Sequence, residues 1–370
     1  MPVFLLPLFL PYLAGPLAAC GTRPLPSRLF PIFEANPATV KRIAIIPVAG
    51  TGMHLRPHTH TLPKPLIPVA GKAILGHIVD AWIKAGMDEF VFVVGYLGTK
   101  IKTYIEERYT GKIHFHFVEQ EPRLGVGHAL WLCRAYIRQA SEVVIALGDT
   151  ILEADLKALL ARPENVLCVQ KVEDPQNFGV ATLDDVGYVR LLEEKPQIPK
   201  SNYALVGLYK IRDTALLVEA LEYEIESESR KNYNLTDPLM HMVRQGARLA
   251  TAPVQFWHDC GQKDVLLATN RILLDRKTQT KIPKFPGSVI IPPVYIAPSA
   301  VIENSIVGPH VAVDEYSVIR DSIVQNSILG AYSRLHTIVL RGSVVGNDSS
   351  LTGSWHSINI GDNTELDLHS

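Results

Sequence analysis

Cysteine is scarce in this chain: 4 among 370 residues. Cys20, Cys133, Cys168 and Cys260 are scattered, with no two in CxxC spacing. That pattern excludes a disulfide framework and a cysteine-based zinc site, and it implies a reducing, cytoplasmic compartment. A surplus of charge is missing too. Lys and Arg number 36 against 37 Asp and Glu, a formal net charge of −1, so no nucleic-acid or acidic-membrane partner is implied. A membrane span is also lacking. Met1–Ala19 is apolar, but Pro2, Pro7, Pro11 and Pro16 interrupt it and it is short for a bilayer. No Lys or Arg precedes it, as a secretory signal requires, although Leu17-Ala18-Ala19-Cys20 has the look of a lipoprotein cleavage box. Methionine is absent between Met1 and Met53, and VKRIAII would make a compact start from another codon. Residues 1–40 are therefore read as a leader, disordered or a mis-assigned start.

What is present is concentrated between Ile43 and Pro65, IAIIPVAGTGMHLRPHTHTLPKP. Ile43 to Val48 is an apolar run too short for a helix and reads as a buried strand. Ala49, Gly50 and Gly52 follow, a turn whose glycines free the backbone and leave N–H groups open to an anion. Arg56 and Lys64 add fixed positive charge, and Pro57, Pro63 and Pro65 stiffen the loop. Such a loop suits a polyphosphate. A dinucleotide fingerprint fails, because Leu55 stands where its third glycine belongs and no acidic residue follows about 20 positions on. A Walker A loop fails for want of Gly-Lys-Ser/Thr. His54, His58 and His60 alternate in spacing that fits no strong metal template, so His58 and His60 are expected at the loop surface.

Strand and helix patterns then alternate. Ile74–Ala85 is expected as a helix closed by Gly86, Phe90–Val94 as a strand, and 99–109 as a polar helix. Ile113, Phe115 and Phe117 alternate with His114 and His116 as a strand should; a helix over 130–139 and a strand over 143–147 follow. The pattern predicts an α/β, mostly parallel sheet with helices on both faces. Ligands then lie beyond the carboxyl ends of the strands, where Gly50 and Asp149 fall.

From about Pro286 the period changes to six. Val301, Val307, Val313 and Ile319 recur, then Ile323, Leu329 and Leu335, then Val339, Val345 and Leu351. No helix has that period, but a short left-handed parallel β-helix with three flat faces does; a small β-sandwich is the alternative. Domain limits of 41–280 and 286–370 follow.

The Gly-rich segment resembles the signature of the sugar-1-phosphate nucleotidyltransferases, G-x-G-T-R-L-x-P-x-T-x-x-x-P-K-P-L. Gly50, Gly52, Leu55, Pro57, Thr59, Pro63, Lys64, Pro65 and Leu66 match. Met53 and His54 depart from it, and His54 stands where the family has a catalytic arginine. The resemblance extends over Arg42–Leu274 and, as a hexapeptide-repeat tail, over Ser288 to about Leu368; it is strongest to glucose-1-phosphate thymidylyltransferases and their uridylyl relatives. It implies a Rossmann-like nucleotidyltransferase domain, an NTP (dTTP or UTP) and a hexose 1-phosphate as substrates, Mg²⁺ as cofactor, and a homo-oligomer assembled through the β-helix. An acyltransferase tail is the less favoured use of the repeats.

Residue by residue, the resemblance implies that Ala49, Gly50 and Gly52 hold the nucleotide, with Gln120 and Gly125 at the base. His54, Arg56 and Lys64 become the catalytic cations. Gly179, Glu194 and Lys195, in NFGV and LLEEKP, hold the sugar phosphate. Asp149 (ALGDT) and Asp259 (FWHDCG) become metal ligands; taken singly, each also reads as a turn-forming Asp beside Gly. Arginine is permanently charged and forked, whereas histidine is only partly charged near neutral pH. His54 thus opens an alternative, a weak or regulatory paralogue that binds a nucleotide sugar without making it.

Overall fold

The computed structural model describes residues 40–227, 232–277 and 283–353. Residues 1–39 of the expected leader, with Cys20, and the end of the expected tail at Leu368 lie outside the described residues.

The chain opens with strand β1 (Arg42–Pro47), the Gly- and Pro-rich loop and a short hairpin, β2 (Pro68–Val69) with β3 (Lys72–Ala73). Helix α1 (Ile74–Ala85), β4 (Glu89–Val94), α2 (Gly98–Tyr109) and β5 (His114–Glu119) come next. Then follow α3 (Val126–Leu132), α4 (Arg134–Gln139), β6 (Glu142–Ala146), β7 (Thr150–Glu153), α5 (Leu156–Ala161) and β8 (Asn165–Lys171). The strands β9 (Gly179–Leu183), β10 (Val189–Glu194) and β11 (Tyr203–Ile211) precede α6 (Thr214–Ser227) and α7 (Thr236–Arg244). Last before the repeats come β12 (Leu249–Pro253), β13 (Phe256–Asp259) and α8 (Lys263–Asp275).

The main sheet runs β10-β9-β11-β6-β1-β4-β5, with β8 and β12 joined beside β11. Its β6-β1-β4-β5 part is parallel, and the sheet becomes mixed where β11 enters antiparallel to β6. Ile46, Phe90 and Phe92 pack into one apolar layer, and Ile43, Ile45, Val91 and Val93 into a second. Two buried faces are what a parallel strand covered by helices requires, and they explain the unbroken apolar runs. As the edge strand, β5 leaves His114 exposed and Phe115 and Phe117 half-buried, so its alternation does not sort into buried and exposed faces. The expected helix 130–139 begins earlier, at Val126, and breaks at Cys133 into α3 and α4. Between Ala252 and Phe256 the chain passes from the end of β12 to the start of β13, which belong to different sheets.

The repeats form three parallel four-stranded sheets, consistent with a left-handed β-helix. Pairs Ile306↔Ile323 and Ile323↔Val339 show coils of 17 and 16 residues, one or two fewer than a strict period of six allows. The shortening moves the inward register by one at three places. Val301, Ile323 and Val339 are 39%, 37% and 76% exposed, while the adjacent Ile302 and Val324 fill the interior.

One outer ladder of the β-helix, Tyr295, Ala312, Ile328 and Val344 in register, faces the main body. Ile328 is buried there and joins the same apolar layer as Phe90 and Phe92, with Val344 packed alongside. The Asn270 amide of α8 fastens the joint, accepting from Ala70 N–H at 2.8 Å and donating to the His310 carbonyl at 3.1 Å. His310 itself lies 2.8 Å from Asp275.

Candidate active site

Strands β1 and β6 are parallel neighbours, so the loops leaving their carboxyl ends emerge side by side. The backbones converge at Gly148, where an added Cβ would lie 2.2 Å from Val48 Cγ1 and 3.0 Å from the Pro47 carbonyl. Only glycine fits, and the next residue, Asp149, is turned outward to the loop of Gly50 and Gly52. Gly52 (φ +64°) packs so closely that a Cβ would meet Thr59 at 2.9 Å, and Thr59 Oγ1 donates to the Gly52 carbonyl at 2.8 Å. Gly50 has open space around it.

The second aspartate arrives from far along the chain. β13 pairs antiparallel with β7, setting Asp259 opposite Thr150. Cys260 N–H donates to the Asp149 carbonyl at 3.1 Å. Lys64 then reaches both carboxylates, with Nζ 2.7 Å from Asp149 Oδ2 and 2.9 Å from Asp259 Oδ1. Burial alone would depress this ammonium, but the two carboxylates outweigh it and hold its pKa above the ordinary lysine value. The trio carries one net negative charge, and both aspartates remain partly open to solvent.

Two clefts meet at the two aspartates. One, of about 600 Å³, is lined by Ala49, Gly50, Gly52, His54, Lys64, Gln120, Arg123 and Gly125. The other, of about 300 Å³, is lined by Gly179, Glu194, Thr236, Asn232, Asn234 and Trp257. Asp149, Asp259, Lys195 and Gly125 line both. Gly125 (φ +93°) presses on Asn232 and Tyr233, where a Cβ would come within 2.3 Å.

The Gln120 amide nitrogen donates to the Gly125 carbonyl at 2.8 Å and to His128 Nδ1 at 3.2 Å, the latter assigning the His128 proton to Nε2. Both amide hydrogens are thereby engaged, leaving Oε1 as the acceptor facing outward. Burial lowers the His128 pKa, which keeps Nδ1 an acceptor.

On the other side, Glu194 Oε2 accepts from Thr236 Oγ1 at 3.0 Å. Burial pushes the Glu194 carboxyl above the usual range, against the pull of Thr236 and Lys195. Gly179 lies tight against it, a Cβ there falling 3.2 Å from Glu194 Oε2. Lys195, exposed and in the left-handed region (φ +45°), has its N–H on the Phe178 carbonyl at 3.0 Å. The Phe178 and Trp257 rings meet edge to face at 4.7 Å, and the buried Trp257 indole N–H has no partner among the described residues.

The structure thus gathers every expected site residue but one. Arg56 is exposed and lines neither cleft. His60 is exposed as expected, whereas His58 is half-buried against Gly346 of the β-helix, and burial lowers its pKa. Among the described residues, no three His, Cys, Asp or Glu side chains cluster as a metal site, and no helix is long and apolar enough to cross a membrane. The sequence reading missed Arg123, Asn232, Asn234, Thr236 and Trp257.

A model of the nucleotidyl transferase family matches residues 43–276. The chain belongs to that family. It is 28% identical to a glucose-1-phosphate thymidylyltransferase of Streptomyces antibioticus over 88% of this chain and 99% of that one. To the bifunctional protein GlmU of Methanococcus vannielii it is 33% identical, over 84% of this chain and 72% of the relative. A crystal structure of UDP-glucose pyrophosphorylase with UDP-glucose shares the fold, with a TM-score of 0.56 and 20% identity over 64% of this chain and all of the other. In this nucleotidyl transferase the two clefts join at the acidic pair of Asp149 and Asp259.

Proposed function

We propose that this protein transfers a nucleotidyl group from dTTP or UTP to a hexose 1-phosphate, giving an NDP-sugar and pyrophosphate. The observation that carries the reading is the meeting of the two clefts at Asp149 and Asp259, which Lys64 bridges. The sugar-phosphate oxygen must attack the α-phosphorus in line while pyrophosphate leaves on the far side, so positioning and charge neutralisation dominate.

In this reading the open Gly50 backbone accommodates the nucleotide and Gln120 Oε1 takes an N–H from the base. Uracil and thymine present such a donor, and so does guanine. Glu194 accepts from sugar hydroxyls, Lys195 holds the sugar phosphate at the junction, and Lys64 guides the triphosphate. Asp149 and Asp259 suit a hard divalent cation, since both carboxylates already converge on one ammonium. They would hold Mg²⁺, which when bound would screen the phosphate charges.

Assembly of identical copies through the β-helix is part of the same reading. Val289, Ile306, Ile323 and Val339 make an in-register apolar ladder on its outside, and Val339 is 76% exposed. A reducing, cytoplasmic setting agrees with the free buried thiols of Cys133, Cys168 and Cys260.

The test is pyrophosphate release over a grid of dTTP, UTP and GTP against hexose 1-phosphates with Mg²⁺. Turnover with one pair supports the proposal. Tight binding of an NDP-sugar without turnover on any pair would instead establish the regulatory alternative that His54 suggests.

A further inference from the structure

Four basic side chains line the nucleotide cleft: His54, Lys64, Lys195 and Arg123. Lys64 is committed to two carboxylates, and Lys195 stands at the junction with the second cleft. His54 is not a permanent charge. Arg123 is, and it has no ion-pair partner among the described residues. Its guanidinium lies 5.9 Å from the Tyr96 ring centroid. Tyr96 in turn belongs to the Gly-rich loop's surroundings, with its N–H on the Ala49 carbonyl at 3.3 Å and its hydroxyl on the His60 carbonyl at 3.3 Å. This cation–π contact places an unpaired forked cation beside the loop that carries His54.

Resting on the function proposed above, we infer that Arg123 supplies the permanent positive charge for the triphosphate on the nucleotide side, a place the signature loop leaves to His54. A guanidinium offers paired donors to phosphate oxygens, and the Tyr96 face restrains it without neutralising it. The assignment predicts a contact that depends on the β- and γ-phosphates rather than on the base.

The experiment compares binding of UTP or dTTP, the matching monophosphate, and inorganic tripolyphosphate to wild type, Arg123→Gln, Arg123→Lys and Arg123→Gln/His54→Arg, with melting curves for each. Loss of one charge-assisted contact should weaken the triphosphate and tripolyphosphate roughly 10- to 100-fold, and the monophosphate less than about threefold. Arg123→Lys should keep part of the affinity, and His54→Arg should restore much of it in the double variant. Equal losses for mono- and triphosphate, or no loss at all, overturn the assignment while wild-type binding leaves the proposed function standing. If wild type binds no nucleoside triphosphate, the proposed function and this inference fall together.

Discussion

Asp259 stands opposite Thr150 in the β7–β13 ladder, one residue along from Asp149, although the two aspartates are 110 positions apart in the chain. The ladder, not the sheet, aligns the acidic pair, and Lys64 spans it. Asp149→Asn and Asp259→Asn each keep the shape and remove an anionic oxygen. Either change should cut Mg²⁺-dependent turnover roughly 100-fold or more, the scale of losing one preorganised electrostatic group, with melting temperature little changed. A variant that keeps near-wild-type turnover would show that its carboxylate is structural.

In the proposed function, Lys195 and Lys64 serve different substrates. Lys195→Ala should raise KM for the sugar phosphate by roughly 10-fold or more, as expected for a lost charged hydrogen bond. Lys64→Ala should act on the triphosphate side. It also leaves Asp149 and Asp259 facing each other unscreened, so its effect should shrink as Mg²⁺ is raised. Both variants altering the same substrate's KM would contradict the assignment.

Glu194 gives a pH-dependent stability signature. Its carboxyl is raised by burial, so the folded state favours the protonated form. That contribution is complete below the unfolded carboxylate pKa and is lost as pH rises through the raised folded value. Melting temperature of wild type relative to Glu194→Gln should therefore fall as pH rises above the ordinary glutamate value of about 4. A constant difference above that value would mean that Thr236 and Lys195 fully compensate the burial.

Gly148→Ala forces a methyl group against Val48 and Pro47. Overpacking of this kind typically costs about 1–3 kcal/mol, and here it also displaces the adjoining Asp149. Stability and kcat should fall together, with KM for the sugar phosphate less affected. Unchanged kcat would show that the loop absorbs the shift without moving the carboxylate.

How much of this was legible beforehand depends on what kind of signal each part leaves. Helix α1 begins and ends where its apolar spacing and Gly86 placed it, because local rules govern both limits. The break at Cys133 left no glycine or proline to announce it. In the β-helix the apolar rhythm revealed the architecture but misplaced Val301, Ile323 and Val339, since the corners lose a residue that a fixed period cannot anticipate. Asp149 and Asp259 stood out beside glycine, yet their meeting depends on β-pairing across the chain. Arg123 was passed over because an arginine between proline and leucine has no pattern of its own. Its interest comes from Tyr96 and from Lys64 being already occupied.

The docked ladder of Tyr295, Ala312, Ile328 and Val344 constrains motion. Successive coils each set a rung against the catalytic body, so the repeat array cannot swing as a lever without lifting several rungs at once.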